Sequence, residues 1–258
     1  MPQSSSDSPR AALVTGGAQR IGRAIALALV ERGYAVALQT WHSRAEADRL
    51  CGEIAAAGGR AVALTADLAD HAAVTRLVPE AAAALGPLTL LVNNAAEFQP
   101  DEIGRLDRAR FDRHFAVNLR APIFLAEAFA AQLAESEHGA IVNLVDQRVY
   151  KPTPRFLSYG LTKSALYAAT TMLAQGLAPR IRVNAVAPGP TLPSPRQDAQ
   201  SFARQVGTLP LDRGPSPQDV AEAVLYLATA RSVTGVTIAV DGGQHLAWRT
   251  PDAAEIEE

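Results

Sequence analysis

Tyr159 and Lys163 stand four positions apart in the run SYGLTK, and an acid, Asp146, lies thirteen residues before the tyrosine. That step is close to one helical turn, so phenol and ammonium are expected on the same helix face. A phenol titrates near pH ~10 in isolation, and a cation about 4 Å away contributes roughly 4 kcal/mol at an effective dielectric of 20, or ~3 pKa units before desolvation. Tyr159 is therefore expected to exchange a proton near neutrality. Many helices carry a Tyr and a Lys at this spacing by chance, so the surrounding chain has to support the reading.

Asp146 has two possible uses. An ionised carboxylate offers only acceptors, so it would repel the oxyanion of a ketone under reduction. Reduction of a ring imine differs, because the nitrogen must gain a proton as hydride arrives, and an Asp–Tyr pair can deliver it. The plainer use is a helix cap or Asx turn, common for Asp after a strand.

The elements that would position these groups are legible as apolar runs. Ala11–Thr15, Ala35–Thr40, Ala61–Thr65, Leu88–Asn93, Ala140–Val145, Ile181–Ala187 and Val236–Val240 are short and mostly continuous, and longer helical patterns separate them. Continuous runs are expected of parallel strands covered on both faces, which gives an α/β, doubly wound parallel sheet of about seven strands in a single domain. Ligands on such a sheet bind beyond the carboxyl ends of its strands. After the first strand comes TGGAQRIG and then a helical pattern, so Gly16 permits the turn, Gly22 permits close packing, and the helix N-terminus faces a pyrophosphate.

Cofactor preference follows from charge. An NAD site needs an acid about 20 residues beyond the glycine turn. Here the segment reads LQTWHSRAEAD, with no acid before Glu46. His42, Ser43 and Arg44, with Arg20 from the turn, are expected to converge on a 2′-phosphate, favouring NADP(H).

Composition agrees with one catalytic domain over residues 10–248: the chain has 258 residues and is 48% hydrophobic. A formal net charge of −2 argues against nucleic acid or an anionic membrane as a partner. The first ten residues lack the apolar core of a signal peptide and no apolar run reaches membrane-spanning length, so a cytoplasmic location is expected. Residues 1–9 read as a disordered tail and 249–258 as an acidic one. The single Cys51 excludes an internal disulfide, and the five histidines show no ligand spacing, so no metal is expected. A Pro-rich stretch from Pro188 to Pro217 reads as a lid or a surface excursion. The helical pattern Ser158–Ala178 is apolar around much of its circumference and suggests a subunit contact or a two-sided core helix.

TGGAQRIG, Asp67, NNAA at Asn93–Ala96, Asn118, Tyr159-x-x-x-Lys163, RVNAVAPG and the VTG…VDGG ending together resemble the short-chain dehydrogenase/reductase family along nearly the whole chain. The resemblance implies an NAD(P)-dependent oxidoreductase, commonly a homotetramer, with Tyr159 as acid/base, Lys163 on the nicotinamide ribose, and Asn118 anchoring a water. It also implies that Gly16, Arg20, Ile21 and Gly22 border the dinucleotide, with Asp67 and Leu68 near the adenine. Asn94 and Ala95 would lie on the adenosine ribose side, and Pro188 and Gly189 at the nicotinamide.

Two departures point to a subgroup. Arg20 replaces the usual middle glycine and Asp146 the usual serine, as in proteins similar to pteridine and dihydromonapterin reductases. An aromatic four residues after Asn94, Phe98, matches the ring that stacks a pterin there, which makes Arg20, Phe98, Asp146 and Tyr159 substrate contacts and a pterin-like small molecule the substrate. Ala96 departs from the serine common in that subgroup, and Trp248 stands where a basic residue near a neighbouring active site is common. A carbonyl reductase and a non-catalytic redox sensor are the alternatives; intact Asn118, Tyr159 and Lys163 argue against the sensor.

Overall fold

Seven parallel strands lie in the order β3-β2-β1-β4-β5-β6-β7, and the chain reverses its direction of growth between β1 and β4. The computed structural model describes residues 10–194 and 196–248, so the expected tails at 1–9 and 249–258 lie outside the described residues. The strands are β1 (Ala11–Thr15), β2 (Ala35–Thr40), β3 (Ala61–Thr65), β4 (Leu88–Asn93), β5 (Gly139–Leu144), β6 (Ile181–Pro188) and β7 (Thr237–Val240). The first four match the apolar runs residue for residue. β5 begins one residue early and ends at Leu144, which leaves Val145 in the turn; β6 adds Pro188, and β7 starts at Thr237 rather than Val236.

Alternation along β1 shows why the runs are continuous. Ala11 and Leu13 pack with α3 (His71–Leu85) and α5 (Ala121–Gln132) on one face, while Ala12 and Val14 pack with α1 (Arg20–Glu31) and α8 (Pro217–Thr229) on the other. With helices on both faces, every position of β1, β2 and β5 is buried and polar alternation disappears. The remaining helices are α2 (Arg44–Ala56), α4 (Arg108–Phe115), α6 (Leu157–Leu177) and α7 (Ala199–Val206). Helix α6 is offset by one residue from the expected 158–178, and the expected lid contains α7.

Two local features place site residues. A π-helical turn at Ala116–Arg120 joins α4 to α5 and carries Asn118 inward, fully buried. Such a turn adds a residue to the helix and re-aims a side chain, a device common at functional sites. Asn93, Asn143 and Thr170 form a buried chain from β4 through β5 to α6, with Asn93 Nδ2 donating to Asn143 Oδ1 at 2.9 Å and Asn143 Nδ2 to Thr170 Oγ1 at 3.0 Å. The chain fixes α6, and with it Tyr159, against the strand ends.

Candidate active site

The glycine turn after β1 is tied to the end of β4. Thr15 Oγ1 accepts from the backbone amides of Asn94 and Ala95 at 2.9 and 3.0 Å, and Asn94 Nδ2 donates to the Thr15 and Gly16 carbonyls at 2.8 and 3.2 Å. The Asn94 amide thus builds the turn. A side chain at Gly22 would overlap the Gly16 carbonyl oxygen, and Gly16 itself has φ +61°, so both positions suit glycine for different reasons. Arg20 also has a left-handed backbone, φ +52°, which costs a non-glycine residue roughly 1 kcal/mol. Its guanidinium donates to the carbonyls of Pro193 and Leu192 at 3.1 and 3.3 Å, fastening the β6–α7 segment over the strand ends.

Beside this turn lies a cavity of about 420 Å³ whose wall includes Gly16, Arg20, Ile21, Gly22, His42 and Ser43. Asp67, Leu68, Asn94 and Ala95 also line it, so the residues expected around the adenosine half share one cavity. Asp67 is not idle there. Burial opposes its ionisation, but the Arg113 guanidinium, 3.1 Å away, and the Ala69 amide outweigh that and hold the carboxyl below its ordinary range. Arg113 also reaches Glu97 at 3.2 Å, so its charge is spent on two acids. Arg44 does not join His42 and Ser43: its Nε is held by Asp48 at 2.9 Å, one turn along α2, and it does not line the cavity.

A second cavity, about 600 Å³, opens beyond β5 and β6 and contains Phe98, Asp146, Tyr159, Lys163, Pro188 and Gly189. Arg20 and Asn94 line both cavities, which are therefore contiguous. Tyr159 Oη donates to Asp146 Oδ2 at 2.8 Å. Asp146 Oδ1 accepts from the Arg148 amide at 2.9 Å and caps the 3₁₀ turn Gln147–Val149, so one carboxylate serves as cap and as tyrosine partner.

The expected Tyr–Lys pairing differs. Lys163 Nζ donates to the Leu144 carbonyl at 2.6 Å and lies 5.7 Å from the Tyr159 ring centre, while the phenol turns to Asp146. Burial first, and then Asp146, push the Tyr159 phenol well above its ordinary value rather than below it. Burial also lowers Lys163 to about 8, against the opposing pull of Asp146. Asn118 clasps Glu97, accepting from its amide at 2.8 Å and donating to its carbonyl at 2.9 Å, and so holds the segment that carries Phe98.

Several residues of the site carry no signal in the sequence. Phe156, at φ +58°, stacks on Phe98 with ring centres 4.5 Å apart, and Phe98 meets Tyr159 edge-on at 4.6 Å. The Arg148 guanidinium sits over the Phe98, Phe156 and Tyr159 rings at 5.5, 5.3 and 6.0 Å, and its Nη1 reaches Asp146 Oδ2 at 3.3 Å. Arg196 donates to the Phe98 carbonyl at 2.7 Å. Behind Tyr159, the Gln99 amide donates to His114 Nε2, His114 Nδ1 meets Ser158 Oγ, and Ser158 Oγ donates to Asp101. Burial lowers the His114 pKa, keeping it neutral, and the Gln99 contact leaves its ring proton on Nδ1. Among the described residues no group of three or more His, Cys, Asp and Glu could hold a metal, and no helix is long and apolar enough to cross a membrane.

A family model described as enoyl-(acyl carrier protein) reductase matches residues 16–245. A solved structure of FolM alternative dihydrofolate reductase 1 from Brucella canis, complexed with NADP, is 51% identical, covers 94% of this chain and 96% of that one, and superposes with a TM-score of 0.92. A blue fluorescent protein from a metagenomic library, in complex with NADPH, is 34% identical over 91% of this chain and 97% of that one, with a TM-score of 0.85. The 3-oxoacyl-(acyl-carrier-protein) reductase FabG of Staphylococcus aureus is 35% identical over 92% of this chain and 98% of its own length.

Proposed function

The chain belongs to the short-chain dehydrogenase/reductase family, and within it we propose an NADPH-dependent reductase of a pterin-type ring imine. The observation that carries this reading is the 2.8 Å bond from Tyr159 to Asp146 in a cavity walled by Phe98. The cradle fits a dinucleotide: its glycine turn leaves no room for a Cβ at Gly22, α1 presents its N-terminus, and the end of β2 carries His42 and Ser43 without an acid. The NADP and NADPH bound in the solved neighbours support the same cofactor. Bound there, it supplies the hydride.

The chain's own residues manage the proton. At neutral pH a phenol whose affinity for its proton is raised remains protonated, the state required of an acid in a reduction. Asp146 aims that proton and presents acceptors only, which suits the N–H edge of a pterin and opposes a carbonyl oxyanion. As the proton leaves, Lys163 and Arg148, 5.7 and 6.0 Å from the ring centre, are the cations beside the phenolate. Phe98, stacked on Phe156 at 4.5 Å, gives the cavity an aromatic wall for a planar ring. Asn118, by clasping Glu97, keeps that wall in register with Tyr159.

A homotetramer is part of the proposal, supported by Leu161, Tyr167 and Met172, which stand exposed on α6. The competing reading is a 3-oxoacyl reductase, which the Staphylococcus relatives favour. NADPH oxidation against dihydropterins, dihydrofolate and 3-oxoacyl thioesters decides between them. Turnover of the pterins is expected, and turnover of thioesters alone would overturn the proposal.

A further inference from the structure

Three successive residues of the aromatic wall are held from outside their own segment. Asn118 clasps the backbone of Glu97 on one side of Phe98, and Arg196 donates to the Phe98 carbonyl at 2.7 Å. On the other side the Gln99 amide donates to His114 Nε2 at 3.1 Å. His114 and Asn118 stand four positions apart where α4 runs into the π-helical turn, and both are fully buried. One helix end therefore grips the wall twice.

The far side of His114 leads to the tyrosine. Its Nδ1 meets Ser158 Oγ, Ser158 Oγ donates to Asp101, and the Asp101 carboxylate accepts the Ser158 amide at 3.1 and 3.3 Å. The Asp101 carbonyl accepts the Leu157 amide at 3.3 Å. Phe156, at the N-cap of α6, has no side-chain oxygen to cap with, so Asp101 supplies the cap from 57 positions before Ser158. Ser158 directly precedes Tyr159. His114, Ser158 and Asp101 are all buried, a costly set of polar groups unless every bond is made. The proton step uses none of them, since the phenol turns to Asp146 and the Ser158 side chain has no surface to offer a substrate.

We propose that His114 is a positioning residue: through the bonds Gln99–His114–Ser158 it sets the distance between the Phe98 wall and the Tyr159 phenol, whose rings meet edge-on at 4.6 Å. What the wall receives rests on the pterin reading above. The role requires an imidazole that accepts at Nε2 from Gln99 and donates at Nδ1 to Ser158. Protonation puts a hydrogen on Nε2 and sets two donors face to face. Burial lowers the His114 pKa from 6.5, Asp101 and Glu97 oppose that shift without cancelling it, and Arg110 on the same helix adds to it. Tyr159, 6.5 Å away ring to ring on α6, is neutral while it holds its proton. The link holds at neutral pH and opens in acid.

The test is the KM for a dihydropterin in NADPH-dependent reduction, read beside the KM for NADPH. His114→Leu should raise the pterin KM roughly tenfold, the equivalent of one buried hydrogen bond, and leave the NADPH KM unmoved. A merely structural role would lower the folded fraction, and so kcat, with neither KM changed. His114→Gln, whose side-chain oxygen can accept from the Gln99 amide, should recover most of the loss. The wild-type pterin KM should rise as pH falls below 6.5, and that rise should be missing from His114→Gln. A His114→Leu pterin KM within about twofold of wild type, or an acid rise that is absent from wild type or persists in His114→Gln, would overturn the proposal. If the wild-type enzyme reduces no dihydropterin, the pterin reading falls and hydrogen exchange decides the link by itself. In His114→Leu the Gln99 and Ser158 amides should then lose protection together, and unchanged protection at either would overturn it.

Discussion

Replacing Asp146 by serine separates a catalytic carboxylate from a structural cap. The carboxylate accepts the Arg148 amide at 2.9 Å through Oδ1, and through Oδ2 it takes Tyr159 Oη at 2.8 Å and Arg148 Nη1 at 3.3 Å. Serine is itself a good cap, so the loss in stability should stay below about 1 kcal/mol and the variant should fold. The tyrosine bond is another matter. A hydrogen bond to a charged acceptor contributes about 1.5–3 kcal/mol, which converts to a fall in kcat of roughly 10- to 150-fold on a dihydropterin. The pH profile gives a second readout that a mere cap would not move. Asp146 helps hold the Tyr159 phenol up and supports the Lys163 ammonium, so removing it shifts both groups to lower pH, and the alkaline limb of kcat with them. Stopped-time assays of dihydropterin reduction across that limb measure both effects. An Asp146→Ser enzyme with unchanged kcat and an unmoved alkaline limb would refute the proton role and leave Asp146 a cap. A gain in carbonyl reduction would fit, because serine restores a donor.

Lys163→Met should abolish turnover yet raise the unfolding midpoint at pH 7. With Lys163 lowered from 10.5 to about 8, the unfolded chain binds the extra proton between those values, so stability rises with pH across that window and the full cost is present below it. The relief is at most about 3 kcal/mol, less about 1 for the lost bond to Leu144, and thermal denaturation against pH reads it. Gly22→Ala should lower the midpoint by about 1–3 kcal/mol equivalent and weaken dinucleotide binding in titration calorimetry, since its methyl overlaps the Gly16 carbonyl. Ser43→Asp should shift the kcat/KM ratio from NADPH toward NADH, whereas Arg44→Ala should leave it unchanged because Asp48 already holds that guanidinium.

The strands and the glycine cradle were legible because burial on both faces writes itself as unbroken apolar runs, and because a turn that excludes Cβ needs glycine whatever surrounds it. The candidate catalytic residues were legible as types and spacing. Their bonds were not: the four-residue step fixes where the Tyr159 and Lys163 side chains leave the helix, but each tip goes to its own partner across the site, Asp146 and Leu144. Arg44 shows a signal that was present and outweighed, since Asp48 stands one turn along the same helix. Phe156, Arg148 and Arg196 reach the cavity from loops whose paths depend on a positive φ and on tertiary contacts, neither of which leaves a period in the sequence.

In the proposed reaction hydride goes to a pterin ring carbon while Tyr159 protonates the adjacent nitrogen. NADPH carrying deuterium at the transferable position, incubated with the enzyme and a dihydropterin, tests it directly by mass spectrometry of the product. A tetrahydropterin bearing one deuterium on a ring carbon is expected, and no such product from a Tyr159→Phe enzyme. A product without ring deuterium, or label recovered only in an alcohol from a carbonyl substrate, would contradict it.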